Sequence, residues 1–399
     1  MLQAPRILDR QLGVIAGDHV QWKALEEHLE AFVAAQASQP VDESDEHGAT
    51  REYVRRLAGA DLLRLMVPAE HGGAFAQPLA TPICLVRQWL SRHGGVLDTA
   101  FVMQGLGSYP VTQAGLPGLR AELLPRVARG EILCAFALTE PGAGSDVSGM
   151  QTLAEPDEDG GVRLHGEKCF ISNAGVAGSY VVFAREAVRS GGGDDGDDGK
   201  PRYGAFWVPG DAPGLEVEPI RVIAPHPIGT VRMNGVYVSA EHRLGAPGDG
   251  LKIALGTLEL FRVTVGAAAL GLADRALDEA VRHLKQRVQF GKPLAQQQGL
   301  RFALADVVTD HVAAQMLVYR AAGARDEGRV TPDMPAMAKL HATESAQRTI
   351  DRAVQCLGGL GVTVGQATER LYREIRALRI YEGTSEIQKL VIARALFGR

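Results

Sequence analysis

One stretch constrains the fold more than any other. The run LKIALGTLELFRVTVGAAALGLADRALDEAVRHLKQR, residues 251–287, keeps apolar residues at three- and four-residue spacing from end to end. An ordinary globular helix is about 11 residues long, so a helix of this length calls for long neighbours. Helical periodicity returns over residues 294–325, 334–356 and 385–396. Modest connections between such segments predict an antiparallel four-helix bundle.

Upstream the texture differs twice. Residues 21–130 read as shorter helices, with QWKALEEHLEAFVAAQ and EYVRRLAGADLLRLM as the clearest, separated by the breakers PAEHGGAF and SYPVTQAGLPG. Residues 132–245 switch to short β-type runs: ILCAFALT, GVRLHGEKCFIS, SYVVFAR, YGAFWVP, LEVEPI and VRMNGVYVS. Several short strands at such spacing predict a small barrel or sandwich. The expected fold is therefore α+β and multidomain. It has an N-terminal all-α domain (1–131), a central β-barrel domain (132–246) and a C-terminal antiparallel four-helix bundle (247–399). SGGGDDGDDGK, residues 190–200, reads as a solvated hairpin loop.

Composition removes several functions. With 42 basic and 47 acidic residues interspersed and a net charge of −5, there is no basic stripe for nucleic acid and no polybasic membrane anchor. The cysteines Cys84, Cys134, Cys169 and Cys356 are far apart, and read as buried apolar side chains in a reducing compartment. The eleven histidines contain no HExxH, so no metal site is expected. The first twenty residues lack a signal-peptide pattern, and the most apolar window, 263–273, is short of the roughly 20 residues of a membrane span. A cytoplasmic globular protein is expected. No GxGxxG follows a strand and no GxxxxGK[ST] occurs, so any nucleotide cofactor is held by something other than a Rossmann domain or a P-loop.

Five segments carry the chemistry: CAFALTEPGAGSDVSG (134–149), GEKCFISNAG (166–175), RVQFGKPL (287–294), QCLGGLGV (355–362) and RIYEGTSEIQ (379–388). The first is a strand end followed by a glycine-rich turn that exposes backbone amides beside Ser145. Singly each segment is weak. Together and in this order, across nearly the whole chain, they resemble the acyl-CoA dehydrogenase family of FAD-dependent flavoenzymes. Gly365 departs from the acidic or amide residue usual after GGLGVTV, and Glu386 from the usual glutamine.

The resemblance implies roles residue by residue. Phe136, Leu138, Thr139, Gly144 and Ser145 would lie along the flavin ring, Thr139 at its pyrimidine edge and Ser145 between flavin and substrate. Phe170, Ile171 and Ser172 would cover its other side. Arg287, Gln289 and Phe290 would reach the cofactor's pyrophosphate and adenosine from a neighbouring subunit, where a planar guanidinium suits phosphate oxygens. Gln297, Gln298, Gln355, Gly358, Gly359, Thr384 and Glu386 match further cofactor contacts. Arg262 matches a residue near the thioester arm, or else pairs with Glu259. Tyr381 either walls the acyl pocket or packs, and Gly383 permits close approach.

The implied reaction is α,β-dehydrogenation of an acyl-CoA thioester, with electrons passed to an electron-transferring flavoprotein and a dimer-of-dimers homotetramer as the assembly. The base would be Glu382, a carboxylate whose pKa a dry pocket raises toward working pH. Phe261 stands where some subfamilies place the base, and Glu259 lies on a different helix face. A flavin oxidase or monooxygenase, and a dehydrogenase of acyl-carrier-protein thioesters, are the alternatives on the same fold.

Overall fold

The structure is a computed structural model that describes residues 19–187 and 201–398. The expected hairpin loop at 190–200 and most of the N-terminal stretch read for a signal peptide lie outside the described residues. Five helices come first: α1 (His19–Ser38), α2 (Glu46–Gly59), α3 (Ala80–His93), α4 (Gly95–Ala114) and α5 (Pro117–Ala128). Eight strands follow: β1 (Cys134–Ala137), β2 (Leu153–Pro156), β3 (Val162–Ser172), β4 (Ser179–Glu186), β5 (Tyr203–Pro209), β6 (Leu215–Pro219), β7 (Ile228–Val238) and β8 (Arg243–Leu244). Then come α6 (Gly250–Gln286), the short strands β9 (Val288–Gln289) and β10 (Lys292–Pro293), and four helices: α7 (Gln298–Asp326), α8 (Asp333–Leu357), α9 (Ala367–Leu378) and α10 (Ser385–Phe397). The α+β order expected from the sequence holds.

Local differences have local causes. The helix expected over 52–66 stops at Gly59, because Asp61 turns left-handed at φ 57°, and Leu62–Met66 continues as a 3-10 helix. The stretch expected to start at 294 opens with a 3-10 turn before α7 begins at Gln298. Helix α9 was not expected, so the C-terminal region holds five helices. Its strongly amphipathic sequence ATERLYREIRAL follows the breaker Gly365, ends at the C-cap Arg379, and buries only Thr368, Leu371, Ile375 and Leu378.

The described residues form two compact units, one drawn from 19–40, 79–98 and 259–398, the other from 41–78, 99–187 and 201–258. Two of the four divisions fall inside helices, one within α4 and one within α6. In the helical unit, an alanine-rich stripe of α6 (Ala268, Ala269, Ala273, Ala276, Ala280) packs with Ala346, Ile350 and Ala353 of α8 and Leu371 and Ile375 of α9. Small side chains let helices approach closely: a Cβ at Gly271 would lie 2.1 Å from both the Gln88 carbonyl and Ser91 Oγ of α3. Several polar groups buried by that approach are paired, although His311 Nδ1 has no hydrogen-bond partner among the described residues. Gln88 Nε2 donates to Asp274 (2.7 Å), Tyr319 Oη donates to Gln88 (2.7 Å), and His311 Nε2 lies 2.8 Å from Asp274. Asp326, at the end of α7, accepts from the Ala80 and Thr81 amides (2.6 and 2.9 Å) and so caps α3.

Helix α6 is long and apolar enough to cross a membrane, a longer apolar run than the 11-residue window seen in the sequence, yet 72% of its most apolar window is buried inside the protein. That burial is what a core helix requires. In the second unit, eight strands form one sheet in the order β6-β7-β3-β2-β4-β5-β8, with β1 parallel to β4. Its core combines Val162 and Leu164 of β3, Tyr180 and Val182 of β4, Phe206 and Val208 of β5 and Val231, Met233 and Val236 of β7. All four cysteines are buried and unbridged, as expected.

Candidate active site

The sequence RIYEGTSEIQ resolves into distinct duties. Thr384 is the N-cap of α10, its hydroxyl accepting from the Ile387 amide at 3.3 Å, and Glu386 is exposed in the first turn, where negative charge is favoured. Capping is thus done without Glu382. Glu382 instead adopts a left-handed φ of 53°, followed by Gly383 at 91°. A side chain in that region costs about 1–2 kcal/mol, so the neighbours must hold it there. Gly383 O accepts from Lys339 Nζ and from Gln388 Nε2, both at 2.8 Å, and Gln388 Nε2 also lies 3.3 Å from Glu382 O. Glu344 grips both flanks, accepting from Arg379 Nε (2.9 Å) and Ser385 Oγ (2.6 Å).

Around this turn the helical unit gathers charge. Arg87 of α3 is 1% exposed, and its fork donates to both carboxylate oxygens of Asp98 (2.9 and 2.6 Å) and to Thr264 Oγ1 (2.9 Å). Burial works against the Arg87 charge, but Asp98 outweighs it and the guanidinium pKa is raised. Glu382 is half-buried overall, while its Oε2 is shielded from solvent and bonded to nothing. Burial pushes the Glu382 carboxyl up, against the pull of Arg87, Lys339 and Arg262, with Asp98 adding to the rise. Arg262 is likewise weakened as a cation by burial, and its shielded Nε has no acceptor. Lys339 of α8 is fully buried, and burial holds its ammonium down to about 8. Tyr381 is 39% exposed, yet burial of its phenol raises the hydroxyl pKa. Among the described residues, no acceptor takes the Glu382 backbone N–H. An acid of raised pKa beside unpaired donors is an arrangement for moving a proton off a bound group.

In the second unit, the register of β3 against β7 slips twice, between Leu164 and His165 and again between Lys168 and Ile171. The second bulge turns Cys169 inward and leaves Phe170 61% exposed at φ 55°. Ile171 goes into the sheet core, and Ser172 is half-buried beside His226 Nε2 at 3.1 Å. His226 Nδ1 lies 2.9 Å from the Ala224 carbonyl, which can only accept, so neutral His226 takes its second bond from the Ser172 hydroxyl. Burial lowers the His226 pKa and favours that neutral form. Phe136 and Leu138 are buried, Phe136 against Phe183 (centroids 4.9 Å), and the half-buried Thr139 accepts from the Cys169 amide at 2.9 Å. The glycine-rich loop is clamped at its base. Glu140 accepts from the Gln151 and Thr152 amides (2.6 and 2.9 Å) and from Lys168 Nζ (2.7 Å). Gly144 and Ser145 are exposed, and a Cβ at Gly142 or Gly144 would meet nothing within 4 Å. A clamped loop bordering open space, and an aromatic ring held out by a bulge, fit a flat ligand.

The remaining expected residues lie at the surface of the helical unit. Arg287 directly follows α6, and the β9–β10 hairpin turns through Phe290 (φ 54°) and Gly291 (φ 76°), a primed turn that leaves Phe290 92% exposed. Gln289, Gln298, Gln355, Gly358 and Gly359 are exposed and Gln297 half-buried. Gly365 has φ 90°, a conformation glycine adopts freely. Among the described residues, no group of three or more His, Cys, Asp or Glu is placed to hold a metal. The sequence reading missed Arg87, Asp98, Lys339 and Gln388. The signal was present in PICLVRQWL and PAMAKLHA, each a lone cation inside a helical apolar run.

Three family models match in chain order: acyl-CoA dehydrogenase, N-terminal domain (residues 21–131), middle domain (135–236) and C-terminal domain (248–397). Cyclohexane-1-carbonyl-CoA dehydrogenase of Geobacter metallireducens is 34% identical over 348 residues, 86% of this chain and 89% of that protein. The glutaryl-coenzyme A dehydrogenase–glutaryl-CoA complex superposes with a TM-score of 0.86 at 29% identity, covering 95% of each chain. A glutaryl-CoA dehydrogenase from Mycobacterium smegmatis in complex with FADH2 superposes at 0.83 with 26% identity, over 94% of this chain and 95% of that one.

Proposed function

The chain belongs to the acyl-CoA dehydrogenase family, and from that premise we propose that it desaturates the acyl group of a CoA thioester between its α and β carbons, with Glu382 as the base. The observation that carries this is the Glu382 turn: a strained, shielded carboxylate with an unbonded Oε2, flanked by Arg87, Arg262 and Lys339. Its raised pKa suits a group that must accept a proton near neutrality. An α-proton beside a thioester is too weakly acidic for a carboxylate alone, so charge developing on the carbonyl oxygen needs donors. The unbonded Glu382 N–H and the shielded Arg262 Nε are such donors in this unit.

FAD, when bound, supplies the acceptor for the β-hydrogen and its electron pair. Thr139, Gly144, Ser145, Phe170 and Ser172 are proposed to hold the flavin ring, with Phe136, Leu138 and Ile171 supporting them from the core side. Arg287, Gln289, Phe290, Gln297, Gln298, Gln355, Gly358, Gly359, Thr384 and Glu386 are proposed to serve the adenosine half across a subunit boundary. Exposed apolar side chains on the helical unit, Phe290, Val364 (84%) and Phe397 (81%), support burial in a homotetramer. Domain limits near 131 and 246, an electron-transferring flavoprotein as acceptor, a cytoplasmic location and a role in carboxylic-acid catabolism complete the proposal.

The test is anaerobic bleaching of the flavin by a panel of short, branched, cyclic and aromatic acyl-CoAs. Glu382→Gln should keep the yellow cofactor and lose bleaching by every thioester. Retained bleaching would place the base elsewhere, and fast reoxidation of reduced enzyme by air would favour an oxidase.

A further inference from the structure

A fully buried lysine is costly unless something uses it. Lys339 is 0% exposed and sits on α8, inside the sequence PAMAKLHA. Its ammonium is spent on a backbone carbonyl, Gly383 O, at 2.8 Å. That carbonyl belongs to the residue directly after Glu382, within two successive left-handed residues. Gln388 Nε2 supplies the second donor to the same oxygen, and its own Oε1 is buried and unbonded. Two donors from two helices thus converge on the carbonyl of the residue that follows Glu382. We propose that Lys339 is the positioning residue of the base, clamping the Gly383 carbonyl to hold the left-handed turn and setting a positive charge beside the carboxylate. This deepens the assignment of Glu382 as base and rests on it.

The charged groups around Lys339 are few. Glu382 lies on the turn, Arg262 on α6, Glu344 one helical turn further along α8, and Arg379 just past α9. Glu344 is occupied by Arg379 and Ser385. Arg87 is tied to Asp98. Lys339 and Arg262 are therefore the cations next to Glu382 that have no other carboxylate bonded to them. Of these two, only Lys339 also touches the turn through its backbone. Losing the Lys339 charge removes support for ionised Glu382 and raises the pKa of the base further, so the acid limb of the rate profile moves to higher pH. Losing the hydrogen bond loosens the turn and lowers the rate at every pH.

The two effects separate by substitution in the FAD-loaded enzyme. Lys339→Gln keeps an N–H donor and removes the charge. Its acid limb for anaerobic bleaching should move up by about one pH unit, with the plateau rate close to wild type. Lys339→Met removes both. It should show the same limb shift plus a plateau lower by about 10- to 100-fold. Gln388→Leu keeps the lysine charge, so it should lower the plateau and leave the limb in place, and it serves as the independent arm if Lys339→Met does not fold. A wild-type limb in both lysine variants, or a moved limb in Gln388→Leu, overturns the proposal. Glu382→Gln is run in parallel: if that variant bleaches, the base assignment fails. If it does not bleach while the lysine variants match wild type, only the clamp fails.

Discussion

Asp98→Leu tests the charge cluster most directly. The Arg87 guanidinium is 1% exposed and makes three hydrogen bonds, two of them to Asp98 at 2.9 and 2.6 Å. Removing the carboxylate leaves a buried cation with Thr264 Oγ1 as its remaining bonded acceptor. Breaking a buried pair from one side costs about 3–5 kcal/mol. With an unfolding entropy of about 2.1 cal/mol/K per residue, 399 residues correspond to ~0.84 kcal/mol/K, so Tm should fall by about 4–6 °C. Arg87→Met/Asp98→Leu removes both charges and fills the space with apolar atoms, which should recover most of that loss. Scanning calorimetry of the holoenzymes measures both. The pH profile gives a second reading, because Asp98 adds to the rise of the Glu382 pKa. Without Asp98, the acid limb should move down, opposite in sign to the lysine variants. A single variant within about 1 °C of wild type, or a double variant as unstable as the single, would refute a stabilising buried pair.

Three further outcomes follow from local geometry. Glu382 is raised above its unfolded value by burial, so stability is lost as pH rises from the ordinary carboxylate range through the folded pKa. Glu382→Gln should therefore have the higher Tm at neutral and alkaline pH, with the difference vanishing below the ordinary carboxylate range. Gly383→Ala puts a Cβ 2.6 Å from Gln388 Nε2 at φ 91°; a cost of about 2 kcal/mol lowers Tm by only about 2 °C, while bleaching should slow by about 100-fold. Phe170→Gly removes a strained, exposed ring, so thermal stability of the apoprotein should hold or rise while the FAD dissociation constant increases; unchanged FAD binding would count against its placement on the flavin.

What the sequence made legible was periodic. The 3.6-residue repeat of α6 and the Val/Ile/Phe/Tyr-rich runs of β3, β4, β5 and β7 report burial, and burial is what builds a helix stripe or a sheet face. Helix α9 leaves a weak signal because it is short and only four of its twelve positions, Thr368, Leu371, Ile375 and Leu378, mark its buried face. The Arg87–Asp98 pair escaped for a different reason. Its members are 11 residues apart on successive helices, and nothing in one sequence tells a buried, paired charge from a solvated one.

Strain was illegible too, and it marks residues within each unit. Among the described residues, five non-glycine residues have positive φ: Asp61, Phe170, Asn173, Phe290 and Glu382. Three of them, Phe170, Phe290 and Glu382, are residues that the resemblance placed on cofactor or substrate. Each is held by a separate device: a register slip in β3, a primed hairpin turn, and the Lys339–Gln388 clamp on the peptide after Glu382. A carboxylate on a relaxed helix turn would have been free to bond a neighbouring amide or to swing into water, and either would return its pKa to the ordinary range. Holding the backbone left-handed forbids the helical alternative, and shielding Oε2 forbids the aqueous one. The conformational cost of the turn and the raised pKa of the acid are thus two consequences of one constraint, and relaxing the turn should release both together.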